Sequence, residues 1–328
     1  MKNRLADNNE AVLFLEKQLE KDAPNLDPET RRTLARMGAS IAVKEAEKPE
    51  KNAVSPENTK EKKEKSVQLD FWEDGKRAAP NAVFRSALFP ALNPQQKENR
   101  RFLDQENLFS TGGLEVTFTG KQFDQSDLDV YLELLNMARP YPLGQPVKFS
   151  AYGLLKALGL PTGGSNHERV HSVLIRLRGG TIDITDHKIR YFGGLIEGGI
   201  RDEISLNYEI TINPKFADLF GFGMWATIDK EQRRSLGRSS TAKALHAYYS
   251  THTEPTAHKF DTLSDIIGLT NSNKRQRRAD IIKAHESLKT AEFLESYETT
   301  PETIKAHIKL TAGQIRRLVK RREKPTQN

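Results

Sequence analysis

Cysteine is absent from all 328 residues of this chain. Disulfides and thiolate metal sites are therefore excluded, and a reducing compartment is compatible with the sequence. No apolar run approaches the roughly 20 residues that span a bilayer. The start, Met1-Lys2-Asn3-Arg4-Leu5-Ala6-Asp7, lacks the apolar core of a signal peptide. A soluble, cytoplasmic protein is expected. Apolar residues are scarce at 36% while charged ones reach 29%, so part of the chain is expected to be solvated tail. Aromatic residues are missing from Lys44 to Lys65, where Lys, Glu, Asn and Pro dominate. Such a segment cannot bury enough surface to offset its ordering entropy and reads as a flexible linker. The two charge signs do not balance either. A net charge of +7 favours a polyanionic partner, either nucleic acid or an anionic membrane surface.

What is present is a pattern that occurs twice. Leu158-Gly159-Leu160 precedes the polar turn Pro161-Thr162-Gly163-Gly164-Ser165 and an Arg-containing helix. Ile267-Gly268-Leu269 precedes Thr270-Asn271-Ser272-Asn273 and a second basic helix. An apolar helix ending at Gly, a short polar turn and a basic helix read as helix-turn-helix. Around each copy the periodicity supplies further elements. Asp124 to Ser126 start a helix carrying Leu128, Tyr131 and Leu135, and Ser150 caps the next. After Gly179-Gly180 the period changes to two through Thr181–Ile184, Ile189–Phe192, Ile204–Leu206 and Tyr208–Ile212. The turn Asp186-His187-Lys188 is then expected to be a wing tip. In the second half a helix through Ala242, Leu245 and Tyr249 is followed by helices opening at Thr262 and Asn273. Strands around Phe293–Tyr297 and Thr303–Ile308 and a basic helix from Thr311 to Lys324 complete it. Three helices followed by a small twisted sheet is the winged-helix order. Before these repeats, Val67-Gln68-Leu69-Asp70-Phe71-Trp72 stands as an apolar burst, either a first core strand or a docking peptide. Residues 10–21 and the segment opened by Asp27-Pro28-Glu29 read as short helices.

The chemistry concentrates at the two recognition helices. Asn271, Ser272, Asn273, Lys274, Arg275, Gln276, Arg277 and Arg278 combine four cations with side chains that hydrogen-bond. Arg forks onto guanine O6 and N7, and Asn or Gln pairs with adenine N6 and N7. This run sits where a helix-turn-helix places its base contacts. The first helix is less basic, with Ser165, Asn166, Arg169 and Arg176, and Lys188 at the expected wing tip suits phosphate or minor-groove contact. The alternative for any charge run is a solvated face. His167-Glu168-Arg169-Val170-His171 matches the H-E-x-x-H string of zinc peptidases. Arg169 inside it and the lack of a third ligand at a suitable spacing argue against a catalytic zinc. Tyr248-Tyr249 lacks the His-hydrophobic-His motif of rolling-circle nickases and reads as core. Gly113 to Gln122 misses the required glycine and hydroxyl of a phosphate loop. No cofactor or metal is expected.

Three stretches carry a family resemblance: Ala79-Pro80-Asn81-Ala82-Val83-Phe84-Arg85-Ser86-Ala87-Leu88-Phe89, Phe123 to Arg178, and Arg190-Tyr191-Phe192-Gly193-Gly194-Leu195-Ile196. Across residues 78–310 the chain resembles the TrfA family of plasmid replication initiators. The resemblance implies two tandem winged helices; with the composition of the first 66 residues, the expectation is an α+β fold with a largely disordered N-terminal region. Along the chain the expected division is a helical or disordered tail (1–66), a docking peptide with the start of the core (67–122), and winged-helix domains at 123–235 and 236–328. The resemblance further implies a non-enzymatic protein that binds double-stranded origin DNA at direct repeats (iterons), with single-stranded DNA as a further candidate. The implied protein partners are the host replicative helicase, the host initiator, the sliding clamp, and the chain itself in a monomer–dimer balance that bears on plasmid copy control. Positional carry-over puts Ser165, Asn166, Arg169, Asn273, Lys274, Arg277 and Arg278 on DNA. Gln68, Leu69, Asp70, Phe71 and Trp72 resemble a clamp-docking peptide but depart from its pattern at Phe71 and Trp72. A winged-helix transcriptional regulator and, more remotely, a zinc peptidase are the competing classes.

Overall fold

A computed structural model describes residues 72–142, 144–186, 189–220 and 225–310, with part of the segment 12–36. The chain divides into two units, Met1–Lys63 and Glu64–Asn328. In the first, Asp27 caps the helical turn that begins at Pro28. Its carboxylate accepts hydrogen bonds from the Glu29 and Thr30 amides at 3.1 and 3.0 Å. The linker expected at 44–65 and the basic helix expected after Thr311 lie outside the described residues, as do Gln68, Leu69, Asp70, Phe71 and Lys188.

The second unit opens with β1 (Lys76–Pro80), α1 (Asn81–Phe84), α2 (Pro94–Glu98), β2 (Phe102–Leu108) and β3 (Leu114–Lys121). Then come α3 (Gln125–Ala138), β4 (Pro146–Ser150), α4 (Ala151–Leu158), α5 (Gly164–Gly179), β5 (Thr181–Asp186), β6 (Ile189–Gly193), β7 (Ile196–Arg201) and β8 (Asn207–Ile212). A 3-10 turn at Pro214–Phe220 leads to β9 (Trp225–Asp229), α6 (Lys230–Ser235), α7 (Ser240–Tyr249), β10 (His258–Lys259), α8 (Phe260–Ile266), α9 (Lys274–Thr290), β11 (Leu294–Thr299) and β12 (Thr303–Ile308). The mixture is α+β, and no described helix is long and apolar enough to cross a membrane.

Two winged helices are visible in the strand order. The helices α3, α4 and α5 accompany a sheet ordered β4-β8-β7, and α7, α8 and α9 accompany one ordered β10-β12-β11. Local chemistry builds both sets. Asp124 and Asp127 form a reciprocal capping box at the start of α3. The Ser150 hydroxyl accepts the Gly153 amide at 3.0 Å to start α4. Asn273 does the same for the Gln276 amide at 3.1 Å to start α9. Both helix-turn-helix turns need a left-handed residue, supplied by Gly159 at φ 69° and Gly268 at φ 62°.

Several sequence expectations are corrected. The hairpin β5–β6 is not the wing of the first domain. It joins β2 and β3 in a four-stranded sheet ordered β2-β3-β5-β6, with Ile184 opposite Val116 and Ile182 opposite Phe118. The strands in the wing position are β7 and β8. Strand β7 escapes a period-two reading because Gly198 and Gly199 interrupt it, and a register shift falls between Ile196 and Gly198. Residues 204–206, expected as strand, form the turn between β7 and β8. Helix α8 opens at Phe260 rather than Thr262. Trp72 lies in the larger core, stacked on Phe220 with ring centroids 6.3 Å apart. That position favours the core reading for this residue over the docking reading. Strand β1 pairs antiparallel with β9 from Lys76–Asp229 to Pro80–Trp225, joining the start of the unit to the end of the first winged helix. A second core contains the apolar faces of α7, α8 and α9, and Ala91 from the opening segment belongs to it.

Candidate nucleic-acid interface

The run Asn271–Arg278 sits at the turn between α8 and α9, but its members do different jobs. Asn271 and Asn273 build the turn. The Asn271 side chain accepts the Asn273 amide at 3.0 Å, and Asn273 caps α9. Arg277 folds back on the motif. Its guanidinium donates to Asp261 of α8 at 2.7 Å and to the Asn271 carbonyl, and its side chain is only 16% exposed. Arg278 lies over the Phe260 ring, 5.0 Å from its centroid, and reaches the Thr300 carbonyl at 3.4 Å. It therefore ties α9 to the β11–β12 turn. Lys274 also reaches Asp261, at 3.0 Å, yet its side chain stays 78% exposed. These hydrogen bonds, Arg277's first, hold the Asp261 carboxyl below the usual carboxylate range. Ser272 and Arg275 are exposed, as is Lys283 two turns further along. The solvent-facing edge is thus Ser272 in the turn and Lys274, Arg275, Gln276 and Lys283 on α9, supported from behind by Arg277 and Arg278.

On α5 the picture is similar and sparser. Ser165 and Arg169 are exposed. The Asn166 amide closes the turn by donating to the Pro161 carbonyl at 2.8 Å. Arg169 reaches back to the Ser126 hydroxyl at 3.2 Å. Arg176, expected on DNA, is committed elsewhere. Its guanidinium grips the fully buried Asp127 from Nε at 3.2 Å and Nη2 at 2.7 Å. A capping carboxylate buried at the start of α3 requires this neutralisation, and no sequence spacing reveals the partner. Burial nevertheless holds the Asp127 carboxyl above its usual range. Arg176 opposes that shift and the Asp124 charge adds to it.

The wing beside α5 brings in residues that the sequence reading missed. Arg201 at the end of β7 donates to Glu168 on α5 at 2.9 Å and lies 5.8 Å from the centroid of the Tyr208 ring. Asp202 then organises the tip, accepting the Ile204 amide at 3.0 Å and the Ser205 hydroxyl at 2.9 Å. The same contact engages the Glu168 of the H-E-x-x-H string. Arg201 holds the Glu168 carboxyl below its usual range, which makes it a poor general base. His171 leans on Tyr208, ring centroids 6.1 Å apart. Among the described residues no group of three His, Asp or Glu side chains is arranged to hold a metal. Tyr248 and Tyr249 are buried, and the Tyr249 hydroxyl bonds His285 Nε2 at 2.9 Å, so the pair is core.

Comparison with known proteins adds the family context. The family model described as TrfA protein matches residues 36–306. A plasmid replication initiator protein TrfA from Escherichia coli is 26% identical over 243 residues, or 70% of this chain and 63% of that protein. The chain thus aligns with less than two thirds of that relative's length. Among solved structures, a selenomethionine derivative of domains 2 and 3 of RctB has a TM-score of 0.49 at 10% identity, covering 71% of this chain and 99% of that one. The Pi initiator protein in complex with iteron DNA has a TM-score of 0.42 at 11% identity, covering 56% of this chain and 92% of that one.

Proposed function

The chain belongs to the TrfA protein family, and on that premise we propose that it initiates plasmid replication by binding directly repeated origin sites through its two winged helices. The observation that carries this reading is the exposed start of α9 and the turn before it, where Ser272, Lys274 and Arg275 face solvent within a helix-turn-helix. In this reading Arg275 and Gln276 meet base edges, while Lys274 and Lys283 meet phosphates. Arg277 and Arg278 are positioning residues that set the angle of the helix and its wing. On α5, Ser165 and Arg169 contact the backbone, and Asn166 shapes the turn. The two recognition helices enter successive major grooves, about 34 Å apart. No catalytic chemistry is involved. Origin opening and recruitment of the host helicase, the host initiator and the sliding clamp extend the same proposal. Gln68, Leu69, Asp70 and Phe71 are the segment offered to the clamp, with Trp72 as its anchor in the core.

Footprinting on the origin of the encoding replicon tests this function. Protected direct repeats at helical-turn spacing are expected, with exposure of reactive thymines in an adjacent AT-rich stretch. Repeats protected without exposed thymines would favour a transcriptional regulator. Arg275→Ala should cost about 1–3 kcal/mol of binding and relax preference at one base pair. A loss uniform across sequences would make Arg275 a phosphate contact instead.

A further inference from the structure

The seam between the two winged helices is polar, directional and partly buried, with Asp129 20% and Lys243 16% exposed in their side chains. Asp129 on α3 receives Arg233 Nε of α6 at 2.5 Å and Lys243 Nζ of α7 at 2.6 Å. Arg233, 6% exposed in its side chain, also donates to the Lys243 carbonyl at 3.0 Å and to Gln125 Oε1 at 2.9 Å. The same Gln125 side chain uses its amide nitrogen to hold the Phe89 carbonyl. Phe89 starts a strap that crosses the turn of the second helix-turn-helix. Within it the Ala91 amide donates to the Ile267 carbonyl at 2.8 Å. Gln96 donates to the Thr270 hydroxyl at 2.7 Å. Pro90 packs so tightly on Gly268 that a Cβ there would lie 2.5 Å from the proline Cβ. The two cores also exchange residues: Ala247 of α7 joins the first and Ala91 of the strap joins the second.

An apolar seam could slide, but a partly buried carboxylate shared by two cations, one of them the buried Arg233, has few satisfied geometries. We propose that Gln125, Asp129, Arg233, Lys243 and the 89–96 strap form a brace that fixes the separation and rotation of the two recognition helices, so that the protein measures the spacing between its two DNA contacts. Gln125 is the joint, because one side chain serves both the ionic cluster and the strap. The spacing function rests on the DNA reading above, whereas the rigidity does not.

Both parts are testable in the full chain. The parent has no cysteine, so Arg178→Cys at the end of α5 and Lys289→Cys at the end of α9 place two spin labels uniquely. Double electron–electron resonance should give one narrow distance distribution. Asp129→Asn should broaden it about twofold, as expected where a rigid link becomes flexible. If Asp129→Asn fails to fold, the milder pair Lys243→Met with Gln96→Ala should broaden it likewise. Equal widths in parent and variants, or a broad parent, would overturn the brace. Binding to a two-contact origin site with two base pairs inserted between the contacts reads the second part. The parent should lose about 100-fold in affinity and the braceless variants roughly tenfold less than that. Identical losses would overturn the spacing function while leaving DNA binding intact. A parent that binds no origin DNA would overturn the DNA reading and the spacing function that rests on it, while the distance measurement still judges the rigidity.

Discussion

Arg176→Ala separates two accounts of one residue. The sequence places Arg176 on a recognition helix and hence near DNA, whereas the structure places its guanidinium on Asp127, a carboxylate with no exposed surface. Removing one partner of a buried pair costs about 3–5 kcal/mol. Arg100 Nη1 remains on Asp127 at 3.2 Å and the Asp124 amide still donates at 3.1 Å. Part of the charge therefore stays compensated, and a loss of about 2–4 kcal/mol is expected. The loss should also depend on pH. The folded-state pKa of Asp127 is already raised, and without Arg176 it rises further. Between the unfolded value of 3.8 and the folded one, the native state binds the extra proton, so stability falls as pH rises through that window. The deficit of Arg176→Ala should therefore be larger at pH 8 than at pH 5. Urea unfolding at both pH values measures it, and DNA titration against salt measures the alternative. A phosphate contact would instead leave unfolding unchanged and reduce the salt slope by about 0.9. Unchanged stability with a reduced slope would refute the structural assignment.

Other substitutions probe the second domain. Tyr249→Phe strands the buried His285 Nε2, whose other nitrogen is engaged with the Ile281 carbonyl at 2.8 Å; chemical unfolding should show a loss of about 1–3 kcal/mol. His246 is fully buried against Phe293, with no hydrogen-bond partner at either ring nitrogen and its pKa held down to about 3, chiefly by burial. The unfolded chain takes up that proton near pH 6.5 while the folded chain does not, so stability is lost as pH falls from there toward 3. His246→Leu should flatten the decline of thermal stability over that range by about 1.4 kcal/mol per pH unit; an unchanged slope would show that His246 does not govern it. Gly268→Ala adds a Cβ at φ 62° against Pro90 and should lower stability by about 1–3 kcal/mol, read by urea midpoint.

Much of this protein was legible along the chain because the signals are local. Caps at Asp124, Ser150 and Asn273 and left-handed glycines at 159 and 268 mark elements through interactions spanning a few residues. Both helix-turn-helix units were readable for that reason, as was the unequal density of cations between them. Partner choice was not. Alternation in Thr181–Asp186 declares a strand with one buried face, but whether it pairs with a wing or with β3 depends on residues some seventy positions upstream. Strand β7 was hidden because two glycines remove the alternation that would reveal it.

By itself, then, the sequence determined the repeated architecture, the absence of thiol chemistry and the location of the cationic run on α9, since composition and short-range periodicity are properties of the chain. Tertiary structure decided how those cations divide. Asp261 and Phe260 turn Arg277 and Arg278 inward, Asp127 removes Arg176 from solvent, and Arg275 remains outside. A charge is assigned by the opposite charge or ring that folding brings to it, and those partners lie 16, 18 and 49 residues away in the chain.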